Sequence, residues 1–116
     1  MKELIAIIRP GKAKPTKQKL AEQGLFACTE ERVSGHGKQR GLRYKAAETG
    51  GEDVKISFLP KCMLTVFVND DDLEKALGAI IEVNKSGMMG DGKIFVSPLE
   101  ETIRIRTDET AYAALT

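Results

Sequence analysis

Tryptophan is absent from this chain, histidine occurs once, and the two cysteines, Cys28 and Cys62, lie too far apart for a metal-binding spacing. A structural zinc site therefore lacks soft ligands, and the thiols read as free core residues of a reducing cytosol. Two tyrosines and four phenylalanines leave few platforms for stacked bases. A formal net charge of +1, with 30% charged residues, recommends neither nucleic acid nor a membrane surface as partner. No apolar run approaches the ~20 residues that span a bilayer, and the chain opens on a strand-like segment instead of a signal peptide. The expectation is a cytoplasmic protein without membrane insertion. At 116 residues it is a single domain over 1–116, long enough for a core but short for a deep private active site, so a sizeable pocket is expected between subunits.

What is present is aliphatic and periodic. Leu4 to Ile8 is a nearly continuous apolar run closed by Pro10-Gly11, which predicts a buried strand. Lys12 to Gln23 predicts a helix, with Pro15 in its first turn and Gly24 as its stop. Cys28 to Val33 reads as a second strand. From Lys38 to Asp53 the chain is polar, aperiodic and carries Gly50-Gly51, which predicts a long exposed loop spanning about 38–54. Val54, Ile56 and Phe58, then Cys62, Leu64, Val66 and Val68, alternate as one long strand broken at Pro60. Asn69 to Asp72 offer an N-cap and acids ahead of a helix whose Leu73, Ala76, Leu77, Ile80 and Ile81 share one face, with Gly87 as its end. Ile94 to Val96 predict a short strand, and Thr102 to Arg106 a last one with Arg104 and Arg106 on the same side. The order predicts an α+β, ferredoxin-like βαββαβ subunit. Both helices on one face of an antiparallel sheet would leave the other face bare, which argues for oligomerisation.

Two segments concentrate glycine and positive charge: Gly35-His36-Gly37-Lys38-Gln39-Arg40-Gly41 and Gly87-Met88-Met89-Gly90-Asp91-Gly92-Lys93. Glycine lets backbone N–H groups approach a ligand closely, and lysine adds a point charge for phosphate or carboxylate. A helix C-cap followed by a tight turn has the same composition. Ile94 stands where a Walker loop needs a hydroxyl, and the dinucleotide fingerprint does not occur. Arg104 and Arg106 could converge on one polyanion, although strand arginines at this spacing also suit a solvated face. With Lys38 and Lys93 they form a set of cations matched to a triphosphate.

The chain resembles the PII family of nitrogen-regulatory signal-transduction proteins. The resemblance runs end to end, carried by Ile7-Ile8-Arg9-Pro10, the Gly35 to Gly41 segment, Phe58-Leu59-Pro60-Lys61, Gly90-Asp91-Gly92-Lys93-Ile94-Phe95-Val96 and Arg104-Ile105-Arg106-Thr107. It implies a homotrimer, or a mixed trimer with a paralogous PII subunit, holding ATP or ADP between subunits, with 2-oxoglutarate bound through Mg-ATP. The long loop would be the family's T-loop. Nucleotide would be bound by Ile7, Thr29, Gly35, His36, Gly37, Lys38 and Gln39, with Gly90, Asp91, Gly92, Lys93, Arg104 and Arg106. The resemblance assigns Gly35, Gly37, Lys38 and Gln39 to one subunit, and Gly90, Gly92, Lys93, Arg104 and Arg106 to its neighbour. Magnesium would be met by Gln39, and 2-oxoglutarate by Gln39, Arg40, Lys61 and Gly90.

Several positions depart from the family pattern. Lys38 replaces the usual arginine, Met88 a frequent lysine, and Thr65 and Phe67 stand near the expected base. The loop tip Ala46-Ala47-Glu48-Thr49-Gly50-Gly51 has no tyrosine, so uridylylation at the usual place is not expected. The helix end Val83 to Gly87, the Val96-Ser97-Pro98 segment and the unusual loop resemble the branch associated with nitrogen fixation, whose partner would be a nitrogenase component. The alternative is a PII protein gating an ammonium transporter. An acylphosphatase-like enzyme is the distant alternative, since paired carboxylates are missing and His36 has no evident acidic partner.

Overall fold

The computed structural model describes residues 1–37, 42–45, 53–56 and 58–115, the second and third of these segments as backbone only. Strand β1 (Lys2–Ile8) leads through a 3-10 turn at Pro10–Lys12 into α1 (Ala13–Glu22). Pro15 falls in the first turn of α1, where the N–H it lacks has no helical acceptor. Gly24 adopts φ +80°, the left-handed conformation that stops the helix. Next come β2 (Thr29–Gly35), β3 (Leu42–Lys45), β4 (Asp53–Ile56) and β5 (Leu59–Val68). A 3-10 turn at Asp70–Asp72, α2 (Leu73–Asn84), β6 (Lys93–Pro98) and the short α3 (Ala111–Leu115) complete the described chain.

Strands β2, β5, β1 and β6 form, in that order, one sheet with antiparallel neighbours, the ferredoxin-like arrangement. The period-two alternation of the strands decides its faces. Leu4, Ala6 and Ile8 with Cys62, Leu64, Val66 and Val68 point to the helices and are buried with Leu20, Ala76 and Ile80. Truncating such a residue, Leu64→Ala for example, costs about 2–5 kcal/mol. Inside the helix pair the buried Thr16 hydroxyl donates to the Lys12 carbonyl at 2.6 Å and accepts from Asn84 Nδ2 at 3.0 Å, tying α1 to α2. The opposite face carries the half-buried Ile5, Ile7, Met63 and Thr65, and Phe67 and Phe95 are 42% and 55% exposed.

Several local expectations are corrected. The segment from Lys38 to Asp53 is not wholly irregular, because Leu42–Lys45 pairs with Asp53–Ile56 in a separate two-stranded ladder. The break in the long strand falls before Leu59 and not at Pro60, which lies inside β5 opposite Ser34. The second strand begins at Thr29 and runs on to Gly35. Asn69 makes no side-chain cap. Helix α2 ends at Asn84, ahead of Gly87, and Ala79 is buried in it while Ile81 is 47% exposed. Thr102 to Arg106 forms no strand: Ile103 makes a single bridge to Thr110, and residues 105–107 turn.

Candidate anion-binding site

Where β1 ends, Arg9 emerges beside the connection from α2 to β6. Its Nη1 donates to Asp91 Oδ1 at 2.8 Å and its Nη2 to the Met89 carbonyl at 3.0 Å. The Asp91 carboxylate also accepts the Ser86 hydroxyl on Oδ1, and the amides of Ser86 at 2.8 Å and Gly87 at 3.0 Å on Oδ2. These donors, the Ser86 hydroxyl first and Arg9 next, hold the Asp91 carboxyl well below the usual carboxylate range. Gly87, Gly90 and Gly92 all take positive φ, at +84°, +100° and +108°. At Gly92 there is a second constraint, because a Cβ there would stand 1.9 Å from the Ile7 carbonyl oxygen. The loop can lie on β1 only because residue 92 has no side chain.

Lys61 approaches the same loop from β5. Its Nζ donates to the Gly90 carbonyl at 2.9 Å, and burial followed by the nearby Arg9 charge pushes its ammonium below the ordinary lysine value, against the pull of Asp91. The stem of Lys61 runs under Gly35, where an added Cβ would meet Lys61 Cγ at 3.1 Å. The resemblance divides Gly35 and Gly90 between two subunits; in the structure they flank one lysine of one chain. His36 packs its ring against Phe58, with centroids 5.5 Å apart and the rings tilted.

Ile7, Gly35, Lys61, Gly90, Asp91, Gly92 and Lys93 are thus gathered at one end of the sheet, with Lys93 paired to Ile7 across the β1–β6 ladder. Thr29 lies on the same face but on the far edge strand, in the row Thr29–Thr65–Ile5–Phe95. Three strand spacings put it about 14 Å across the sheet from β6. Arg104 is not on a strand; its Nη1 donates to Glu109 Oε1 at 3.0 Å and its Nη2 to the Ala113 carbonyl at 3.1 Å. Arg106 sits in the exposed turn. The expectations for Gly37 rest on backbone just after β2, and those for Lys38, Gln39 and Arg40 lie outside the described residues. Burial first, with Glu30 contributing, raises both thiols, and both cysteines are free. Among the described residues no cluster of three or more His, Cys, Asp or Glu is placed to hold a metal.

The sequence reading missed a role for Arg9 and Ser86. Arg9 carries a readable signal, an arginine closing an apolar strand just before Pro10-Gly11; Ser86 carries none, since its use depends on where Asp91 folds back.

The profile of the nitrogen regulatory protein P-II family matches residues 1–109. The chain belongs to this family. "Nitrogen fixation nifHD region glnB-like protein 2" of Methanococcus maripaludis is 45% identical over 121 residues, covering 99% of this chain and all of the relative. A "Nitrogen regulatory protein P-II" of Pyropia yezoensis is 40% identical, and one of Bradyrhizobium diazoefficiens 41%, each over 99% of this chain and 100% of the relative. Two of these relatives are thus named as nitrogen regulatory proteins, and the third is named for a nitrogen-fixation nifHD region. No helix among the described residues is long and apolar enough to cross a membrane.

Proposed function

We propose that this P-II protein is a non-catalytic sensor that binds ATP or ADP and, with Mg²⁺, 2-oxoglutarate, and reports their levels to a nitrogenase component through the segment spanning 38–54. The observation that carries the reading is the glycine loop pressed on Ile7 with Lys61 beside it: backbone and one ammonium converge where a phosphate and a carboxylate can share a site. Phosphates lie along Gly90 to Lys93, with Gly35 and Gly37 beside the nucleotide and Arg104 and Arg106 closing on it. Lys61 takes the distal carboxylate of the oxo acid, and Gln39 completes the magnesium shell.

The half-covered face of Ile5, Ile7, Met63, Phe67 and Phe95 supports assembly into a trimer, which also brings Thr29 of one copy towards the glycine loop of another. Nitrogenase is favoured over an ammonium transporter by the nitrogen-fixation name of the 45% identical relative. Isothermal titration of ATP with and without 2-oxoglutarate tests the sensor reading: each ligand should tighten the other by the same factor. Independent binding, or ATP turnover in the steady state, would overturn it. Deleting residues 46–51 should abolish capture of the nitrogenase component and leave the trimer and ATP binding intact; retained capture, or capture of an ammonium transporter alone, would redirect the output.

A further inference from the structure

Asp91 stands inside the segment expected to bind nucleotide, yet its carboxylate is already occupied. A carboxylate offers about four lone-pair sites. In this structure Oδ1 accepts from Arg9 Nη1 and the Ser86 hydroxyl, and Oδ2 from the Ser86 and Gly87 amides. Both oxygens are filled, two donors each, leaving no lone pair for a magnesium ion or a ribose hydroxyl. Arg9 is committed on the same side, with one nitrogen on Asp91 and the other on the Met89 carbonyl, so it spans the loop from the end of β1. The partners are separated by 82 residues in sequence, and Ser86 and Gly87 are the residues that leave α2. The clasp therefore joins three parts of the fold: the end of β1, the exit from α2 and the turn that enters β6.

We propose that Arg9, Ser86 and Asp91 are positioning residues that set the shape of the glycine loop before any ligand arrives, and that the Asp91 carboxylate acts without touching nucleotide or metal. The loop's glycines permit its conformation but do not select it, because glycine is permissive in both directions. Selection comes from the clasp: Asp91 draws the Ser86 and Gly87 amides inward, and Arg9 fixes the Met89 carbonyl. A loop ordered in advance loses less conformational entropy on binding. The claim rests on the sensor reading only where it speaks of affinity; the shape of the ligand-free loop is tested without it.

Hydrogen exchange of the ligand-free protein is the first measurement. The Ser86 and Gly87 amides should be protected in the unaltered chain and exchange about tenfold faster or more in Asp91→Asn, whose amide nitrogen turns a donor toward donors. ATP and ADP titrations, each with Mg²⁺ and with a chelator, are the second. Positioning predicts about tenfold weaker binding in all conditions. Arg9→Met should lose as much, and the double variant no more than the worse single one, because the two residues act as a unit. Ser86→Ala, which removes the hydroxyl that donates to Asp91 and accepts the Met88 amide at 3.2 Å but keeps the Arg9 and amide bonds, gives a milder loss in the same direction and serves if Asp91→Asn does not fold. A loss confined to the Mg²⁺ titrations, additive losses, or unchanged exchange would overturn the proposal. Failure of the unaltered chain to bind adenine nucleotides would remove the sensor reading, while the exchange data alone would still decide whether Asp91 shapes the loop.

Discussion

Two carboxylate–arginine pairs hold residues expected at the candidate site, and they are built on different scales. Arg9 and Asp91 meet at 2.8 Å across 82 residues of sequence, with three further donors on the same carboxylate. Arg104 and Glu109 meet at 3.0 Å across five residues, on an exposed C-terminal segment where Asp108 and Ala111 take positive φ. The first pair is a joint of the fold, since breaking it frees three elements at once. The second is local, joining two residues of one segment; in the proposed site, where Arg104 closes on the phosphates, Glu109 would compete with the ligand for it. In the proposed reading one carboxylate shapes the site and the other contends with the ligand, and the difference follows from what each pair holds together.

Gly92→Ala should act most strongly on the long-range side of this contrast. The new methyl group would collide with the Ile7 carbonyl at a φ of +108°, so the loop must leave β1. Backbone strain alone costs about 1–3 kcal/mol, and both a lower melting temperature and lost ATP binding are expected. A variant that melts and binds like the parent would show that the loop does not lie on β1.

Lys61→Ala should weaken 2-oxoglutarate by about thirtyfold or more, since it strips a charged partner from a carboxylate. ATP affinity should stay nearly unchanged. Equal loss of both ligands in paired titrations would move Lys61 into the phosphate site.

The pH dependence follows from the same side chain. Lys61 is held below its ordinary value of 10.5 by burial and then Arg9, so it loses its proton earlier than a free lysine as pH rises. Affinity for 2-oxoglutarate should therefore fall on the alkaline side, within a window below 10.5. Stability has the opposite sign there: the folded state disfavours the charged form, and that penalty is relieved as pH climbs through the folded pKa. Effector titrations across alkaline pH, with Lys61→Met as the flat control, read this directly.

Glu109→Gln should have the smallest effect and the reverse sign. An exposed ion pair is worth about 0–1 kcal/mol, so removing the Glu109 charge, with Arg104 still held by the Ala113 carbonyl, should tighten ATP by at most about fivefold. Weaker binding would mean that Glu109 orients Arg104 for the ligand, and the contrast between the two pairs would disappear.

Much of this was legible in the residues. Alternation over Leu4 to Ile8 and Cys62 to Val68, and helical spacing over Leu73 to Ile80, report local periodicity that the sheet and helices preserve. The glycine loop was legible as a tight, closely approached turn: Gly87, Gly90 and Gly92 take positive φ, and Gly92 lies against the Ile7 carbonyl. Thr102 to Arg106 misled: its alternation is that of a strand, but only Ile103 bridges, to Thr110, because the chain turns at 105–107. Ile81 misled similarly, since helical spacing cannot tell the centre of an apolar face from its edge, and the fold put Ala79 inside.

The sequence by itself determined the elements of the main sheet and its two long helices, the paired faces of that sheet and the glycines where only glycine fits, because these depend on near neighbours and on the period of the chain. Only the tertiary structure decided which charges meet. Arg9 reaches Asp91, Lys61 reaches Gly90 and Asn84 reaches Thr16 because the strand order β2-β5-β1-β6 and the packing of two helices bring distant segments to the same place. Such pairings carry no local pattern. A carboxylate that reads as a ligand in sequence is, once folded, surrounded by donors of its own chain.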